Sequence, residues 1–442
     1  MWRTFAVCGL SFVALIAVFI GLLVSMLLFV DDARIIVNLK KSIDEKALTD
    51  QDYPTSPFGH GGIDIHTFDM FSECVGLGLN LLNNDEPLAY RIAAAPYIGP
   101  KRNGSLAIAG QGAPCADLVQ AIQSGNAKST LPYFRFWHGY QVYLRPMLSV
   151  LTLTGIHRAN AMLLYGSLLL LTYRLSRWLG PWTFAAFLIP FATVTDLLTV
   201  PLVTVHALSL AWTFLSVAII LFFIERRGEA GIAVLTVVFC SGAISNFVSF
   251  LFNPPLAPAL IAFLIIGRSS TSAGTSMGHW HKVGRAGFAV GLWFSGFALA
   301  WIAKWVIAGF VLGFSVVAGD LTVAGSGSGY NAYMTPDIGH IFYPTRIVVR
   351  FGGIKIVTAA SYAVAGIVLA RLAISRRLQM SQIADFLTLQ GPLIVPVIWV
   401  ELMRYHSVEH AGFVVRSFSI FVIFPLLATL AVTRKSSAQE PT

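Results

Sequence analysis

The sequence predicts an all-α polytopic membrane protein with about ten transmembrane helices. Three observations carry that expectation. Of 442 residues, 56% are hydrophobic and only 12% are charged, whereas soluble domains carry about 25% charged residues. Apolar runs long enough to cross a bilayer recur along the chain, separated by short junctions. Lysine and arginine gather at alternate junctions, the pattern that orients membrane helices.

The first apolar run, Phe5 to Val30, holds about 26 residues, enough to span with some tilt. It ends in Leu28-Phe29-Val30-Asp31-Asp32 without a small-residue cleavage site, so it reads as an anchor rather than a secretory signal. Further spans are expected at 159–173, 181–199, 203–224, 231–250, 255–267, 287–317, 354–373, 384–402 and 412–433. With the N-terminus inside, the cytoplasmic junctions carry Arg174 and Arg177, Arg226 and Arg227, then Arg268, Lys282 and Arg285. Arg371, Arg376 and Arg377 follow, and Arg434 and Lys435 close the chain. Both termini are thus expected in the cytoplasm. The net charge of +9 does not point to nucleic acid, because the basic residues anchor short loops instead of forming one solvated stripe.

This organisation divides the chain into an anchor (1–30), an extracytoplasmic loop with membrane-parallel helices (31–156), a helical bundle (157–435) with an outer loop at 318–350, and a tail (436–442). Within the large loop, Asp64 to Asn83 has the spacing of an amphipathic helix and Pro132 to Ile156 that of further helical segments. Pro96 to Gly125, rich in Gly, Ala, Pro and Asn, reads as ordered loop. Cys8 and Cys240 fall in apolar spans and behave as small hydrophobes. Cys74 and Cys115 lie in a compartment that permits a disulfide, which would stabilise the loop by roughly 3–4 kcal/mol. Whether the two sulfurs meet is open at this stage.

The candidate chemistry lies on the outer face. Asp69 and Glu73, four apart on the expected helix, are the first candidates for a general base, with Asp31 and Asp32 as rivals just after the first span. The competing reading of each is a solvated helix face or a helix-end signal. Tyr133 to Pro146, reading YFRFWHGYQVYLRP, mixes cations with rings. Arg135, His138 and Arg145 suit a phosphate, while Trp137, Tyr140 and Tyr143 suit a prenyl chain or a sugar ring. The alternative is an interfacial aromatic belt with snorkelling arginines.

A third group is Arg404, His406 and His410, framed by Glu401 and Arg416. Two histidines four apart without a clear third ligand are a weak metal signal, so they read as hydrogen-bonding groups for phosphate or sugar. No cofactor is expected, and a divalent metal stays an open alternative. Lys304 sits deep in the 287–317 span and must face a cavity or pair: it reads equally as a substrate-binding residue for the phosphate or as the structural partner of Asp196 or Glu401. Asp196 and His206 flank a short outer turn on the same face. Arg346, Arg350 and Lys355 enter the eighth span from that face. No Walker loop, HExxH, serine elbow or dinucleotide motif occurs in a plausible context, which excludes ATP-driven transport and the common soluble chemistries.

The layout of a first span, a large acidic outer loop and a bundle of further spans resembles the GT-C class of integral membrane glycosyltransferases. Within it, DMFSEC followed by FRFWHGYQVYLRP resembles bacterial members with an acidic pair and a YWHGY-type segment, and RYHSVEHAGFVVR resembles their His-containing stretch. The resemblance implies a polyprenyl-phosphate sugar as donor and an acidic residue of the first outer loop as base, most readily Asp69 or Glu73. In many of these enzymes the acidic motif closely follows the first span, a place held here by Asp31 and Asp32. The expected function is therefore sugar transfer to a cell-envelope glycan or lipid acceptor at the outer face of the plasma (inner) membrane, with the Asp320 to Arg350 loop either a lid over the acceptor or a flexible linker. The alternatives are a lipid-linked glycan carrier or flippase without chemistry, and an outer-face acyl or phospho-group transferase.

Overall fold

A computed structural model describes residues 2–55, 68–81, 86–98, 113–125, 127, 131–228, 231–249, 251–271, 278–323, 342–350, 354–375 and 378–437. Helix α1 is Trp2–Phe29 and α2 is Asp32–Asp44. Between them and the bundle lie α3 (Met70–Gly78), α4 (Leu88–Ala94), α5 (Pro114–Gln123) and α6 (Gln141–Leu148). Strands β1 (Pro96–Tyr97) and β2 (Leu131–Pro132) form one short antiparallel pair. The bundle begins with α7 (Leu153–Leu179), α8 (Thr183–Val194), α9 (Thr204–Arg227), α10 (Ile232–Val248) and α11 (Leu256–Thr271). It continues through α12 (His279–Leu312), α13 (Phe314–Val323), α14 (Tyr343–Val348) and α15 (Ile354–Ile374). Helices α16 (Met380–Gln390), α17 (Ile394–Leu402), α18 (Arg404–Glu409), α19 (Ala411–Val414) and α20 (Ile420–Ser437) complete it.

The protein is of the all-α membrane type. Among the described residues, six helical stretches are long and apolar enough to cross a bilayer: Trp2–Phe29, Thr204–Arg227, His279–Leu312, Ile354–Ile374, Met380–Leu402 and Ala411–Arg434. Thr183–Val194, Ile232–Val248 and Leu256–Ser269 are shorter apolar helices. Their outer surfaces are greasy: Leu10, Val13, Phe310, Ile356 and Ile374 are all exposed. Contiguous apolar surface of this kind needs lipid or a partner over it.

The structure corrects several boundaries. The expected 287–317 span is cut at Gly313, whose φ of +96° ends α12 and lets α13 leave at a new angle. The 96–125 region, expected as loop, contains α5, started by Pro114 at its first position. The helix expected from Asp64 to Asn83 is α3 alone, and residues 64–67 and 82–83 lie outside the described residues. The glycine-rich stretch Gly325 to Gly329 lies outside them as well.

The segment from α2 to α6 is held together by a covalent and several polar ties, and polar ties join it to the start of the bundle. Cys74 and Cys115 do meet: their disulfide joins α3 to α5. Asp31 caps α2 by accepting from the Ala33 amide at 2.9 Å. From α2, Asn38 donates to the Leu148 carbonyl at 2.8 Å and Ser42 Oγ accepts from the Leu153 amide at 2.9 Å. Glu45 accepts from Thr152 and Thr154 at the start of α7.

The tightest helix contact in the bundle is between α10 and α12. A Cβ at Gly242 would lie 2.0 Å from the Trp293 carbonyl oxygen, and one at Gly296 would lie 2.1 Å from that of Phe239. Each glycine lets the opposite backbone come close, as small residues do in membrane interfaces. Gly296→Ala is therefore expected to destabilise the protein by about 1–3 kcal/mol. Thermal unfolding in detergent checks this, with Gly291→Ala, whose new Cβ would meet nothing within 4 Å, as the silent control.

Candidate functional site

Asp69 is the residue around which the site is built. It is the N-cap of α3, accepting from the Ser72 amide at 3.0 Å and the Ser72 hydroxyl at 2.5 Å. The same carboxylate lies 3.3 Å from His206 Nε2 in the first turn of α9. Burial pushes the Asp69 pKa up, but the His206 contact and the two Ser72 hydrogen bonds outweigh it and leave it below the ordinary carboxylate value. Its side chain keeps 17% of its surface.

Behind it runs a polar chain. His206 Nδ1 is 3.0 Å from Arg416 Nη1. A guanidinium only donates, so Nδ1 accepts and the ring proton sits on Nε2, facing Asp69. Arg416 grips Asp196 with two further bonds, Nε to Oδ1 at 2.5 Å and Nη2 to Oδ2. The sequence Asp69–His206–Arg416–Asp196 thus alternates acceptors and donors and carries one net negative charge, with Asp69 at its exposed end.

Aromatic rings wall this chain. The His206 ring lies 4.0 Å from Phe252 and 5.2 Å from Phe413, centroid to centroid. Phe413 stacks on His410 at 4.8 Å, and His410 meets His406 at 4.7 Å. Burial and then the neighbouring His410 lower the His406 pKa to about 3, so this ring is neutral. His406 Nε2 lies 3.3 Å from the Leu251 carbonyl oxygen. Arg404 donates to Glu401 at 3.2 Å, and Glu401 in turn accepts from the Phe342 and Thr345 amides and the Thr345 hydroxyl, capping α14. Among the described residues no group of three or more His, Cys, Asp and Glu is placed to hold a metal ion.

Glu73 does not share this setting. The cap position of Asp69 turns its carboxylate back onto Ser72, while Glu73, one turn later, points into the bundle and is fully buried. Its two oxygens accept from the Thr204 amide at 2.5 Å and the Thr204 hydroxyl at 2.8 Å, capping α9 from another part of the chain. Asn160 extends the network by donating to Thr204 Oγ1 at 3.1 Å and to the Pro201 carbonyl at 3.0 Å. Burial pushes the Glu73 pKa up to about 7.

Asp32 and Arg145 neutralise each other at 2.5 Å. Arg145 also donates to the carbonyls of Val30 (3.1 Å) and Asn80, so it clamps the end of α1 to the residues after α3. Trp137 is wedged between Phe19 and Phe247 and donates to the Ala300 carbonyl at 2.7 Å. His138 adopts a φ of +56° with Nε2 2.7 Å from the Tyr133 carbonyl. The Arg135 carbonyl accepts from the indoles of Trp301 and Trp305 at 2.7 and 3.1 Å. Tyr140 is buried against Gly76. Lys304 donates to the carbonyls of Ile92 (2.7 Å) and Ala93 (3.0 Å), capping the end of α4. The expected carboxylate partners are engaged elsewhere, Asp196 with Arg416 and Glu401 with Arg404.

The structure therefore gathers Asp69, Arg404, His406, His410 and Arg416 near one aromatic wall. Asp32, Glu73, Trp137, Arg145 and Lys304 join parts of the protein to one another. His206 and Asp196 complete the central chain. Their only signal in the sequence is an ionisable pair flanking a short turn between two apolar runs. No family model matches this chain, and no curated protein or solved structure shows significant similarity to it.

Two outcomes are expected. Because Glu73 binds its proton more tightly when folded (about 7 against 4.5), the unfolded chain releases that proton first, and the protein loses stability as pH rises from about 4.5 to about 7. Glu73→Gln, which keeps an acceptor for the Thr204 amide, should flatten that decline, as read by melting curves across the pH series. Arg416→Ala leaves Asp196 buried without its cation and is expected to cost about 3–5 kcal/mol. Chemical denaturation in mild detergent measures it, and an undiminished midpoint would refute the pairing.

Proposed function

We propose that this protein is an integral membrane glycosyltransferase that moves a sugar from a polyprenyl-phosphate donor to a hydroxyl on a cell-envelope glycan or lipid. The observation that carries the reading is Asp69: an ionised, partly exposed carboxylate held at the open end of a buried donor–acceptor chain. On this reading ten helices cross the plasma (inner) membrane, both termini are cytoplasmic and Asp69 faces outside. Basic residues at alternate junctions support that orientation. The Cys74–Cys115 disulfide supports it independently, since such bonds persist outside the reducing cytoplasm.

The proposed step needs no cofactor. Asp69 accepts the proton of the acceptor hydroxyl as its oxygen bonds to the anomeric carbon, and the bond from that carbon to the phosphate oxygen breaks. The sugar ends on the acceptor, the electron pair on polyprenyl phosphate and the proton on Asp69. A lowered pKa makes Asp69 a weak base, suited to taking a proton late, once bonding to the sugar has acidified the hydroxyl. His206 Nε2 faces the carboxylate at 3.3 Å without competing for the proton, because its other nitrogen is occupied by Arg416 and its own proton sits on Nε2. Since Arg145, Arg404 and Arg416 already hold carboxylates, the cations left for the lipid phosphate are the exposed Arg346 and Arg350 of α14 and the residues after it, a helix that packs against α18.

A carrier that flips a lipid-linked glycan would have no use for a fixed base. Asp69→Asn is expected to lower donor turnover by about 10²–10⁴-fold while leaving donor binding intact. Purified protein in lipid, offered polyprenyl-phosphate sugars and envelope acceptors, provides the measurement. Equal turnover in both proteins would remove Asp69 as base, and binding without turnover of any donor would favour the carrier.

A further inference from the structure

A small polar cavity lies among α9, α10, α12 and the segment that leads into α11. Its volume of about 10 Å³ admits a single water-sized particle. Ser209 and Thr213 of α9, Ser245 of α10, and Ser249 and Asn253 after it supply the polar lining, and all are buried. Trp293 and Phe297 of α12 close one side. Among the described residues no lysine, arginine or carboxylate lines it.

The donors of this lining are already engaged. Thr213 donates to the Ser209 carbonyl at 2.9 Å, and the Ser209 hydroxyl donates to that of Ser249 at 3.1 Å. Turned so that its nitrogen faces acceptors, the Asn253 amide donates to the carbonyls of Phe252 at 3.0 Å and Phe413 at 3.2 Å, which leaves its oxygen for the cavity. Ser245, one helical turn before Ser249, lies on the same face. It is only 7% exposed, and its hydroxyl has no hydrogen-bond partner among the described residues. Helix α10 also ends here. Its extended C-cap, Ser249, returns no amide to the last turn among the described residues, so the negative pole of the helix opens at the cavity.

We infer that this cavity binds a monovalent cation of the size of sodium. Neutral oxygens beside the carbonyl end of an interrupted helix are the setting in which membrane proteins hold such an ion. A divalent ion would call for carboxylates, which the lining lacks, and the narrow space disfavours the larger potassium. Occupancy would also reach the candidate site. Asn253, a ligand on this assignment, holds the carbonyls of Phe252 and Phe413, whose rings wall His206. The bound ion steadies that wall without touching the Asp69 chain, and the site stands whether or not sugar is transferred.

The test is thermal unfolding of the purified protein in detergent, with sodium chloride replaced stepwise by choline chloride at constant ionic strength. The melting temperature is expected to rise saturably with sodium and to respond far less to potassium. Thr213→Val keeps the branched shape but removes an oxygen, and should raise the half-saturating sodium concentration by about tenfold or more. Ser245→Ala, which breaks no hydrogen bond among the described residues, should act in the same direction and guards against a folding defect. Ser216→Ala, in the same helix as Thr213 but outside the cavity, should respond like the wild type. Binding of radioactive sodium to these proteins should follow the same order. No response to sodium, equal stabilisation by potassium or choline, or an unaltered response in both cavity variants would overturn the inference and leave the cavity to a water molecule.

Discussion

The architecture hangs on a carboxylate that caps a helix from outside it. The N-terminus of α9 opens in the bundle without a side-chain cap of its own, and Glu73 supplies one from α3. In low-dielectric surroundings four unpaired amides at a helix start are costly, and water is not at hand to satisfy them. One buried carboxylate therefore does two things. It finishes α9, and it fixes α3 so that Asp69, one turn earlier, meets His206 in the first turn of α9. The catalytic candidate is positioned by a neighbour that takes no part in the chemistry.

The same economy governs the other buried charges. Arg145 is shared by Asp32 and two carbonyls, Lys304 by two carbonyls, and Arg416 by Asp196 and His206. Each cation is absorbed by the protein's own acceptors, as a charge in a membrane protein must be. What distinguishes Asp69 is that its partners, Ser72 and the His206 imidazole, include no lysine or arginine, so its charge is oriented but not cancelled. Glu73 is likewise held by neutral donors, the Thr204 amide and hydroxyl, but it is fully buried, whereas the Asp69 side chain is partly exposed.

The helical segments were legible in the sequence because apolar runs and punctuating arginines are local signals. The cap role of Asp69 was not legible, because the apolar spacing carries the expected helix back to Asp64 and so puts Asp69 inside it rather than at its start. Nor were the remaining polar contacts. Glu73 meets Thr204 across 131 positions and Arg416 meets Asp196 across 220, and no periodicity reports on such distances. The 133–146 segment looked like a ligand surface because arginines and rings suit a lipid phosphate. They suit a protein's own carbonyls and ring faces equally well, and Trp137 and His138 are spent on those. Lys304 misled for a related reason: the carbonyl end of a short helix serves an ammonium as well as a carboxylate does.

The covalent tie between α3 and α5 has a bearing on how the chain is made. A membrane helix is ordinarily complete once it leaves the insertion machinery, but α9 waits for a segment synthesised earlier to fold back and deliver its cap. Oxidation of Cys74 and Cys115 locks the delivering helix against its neighbour. Biogenesis thereby acquires a checkpoint: a chain whose thiols stay reduced holds its cap less firmly, and with it the His206–Asp69 contact.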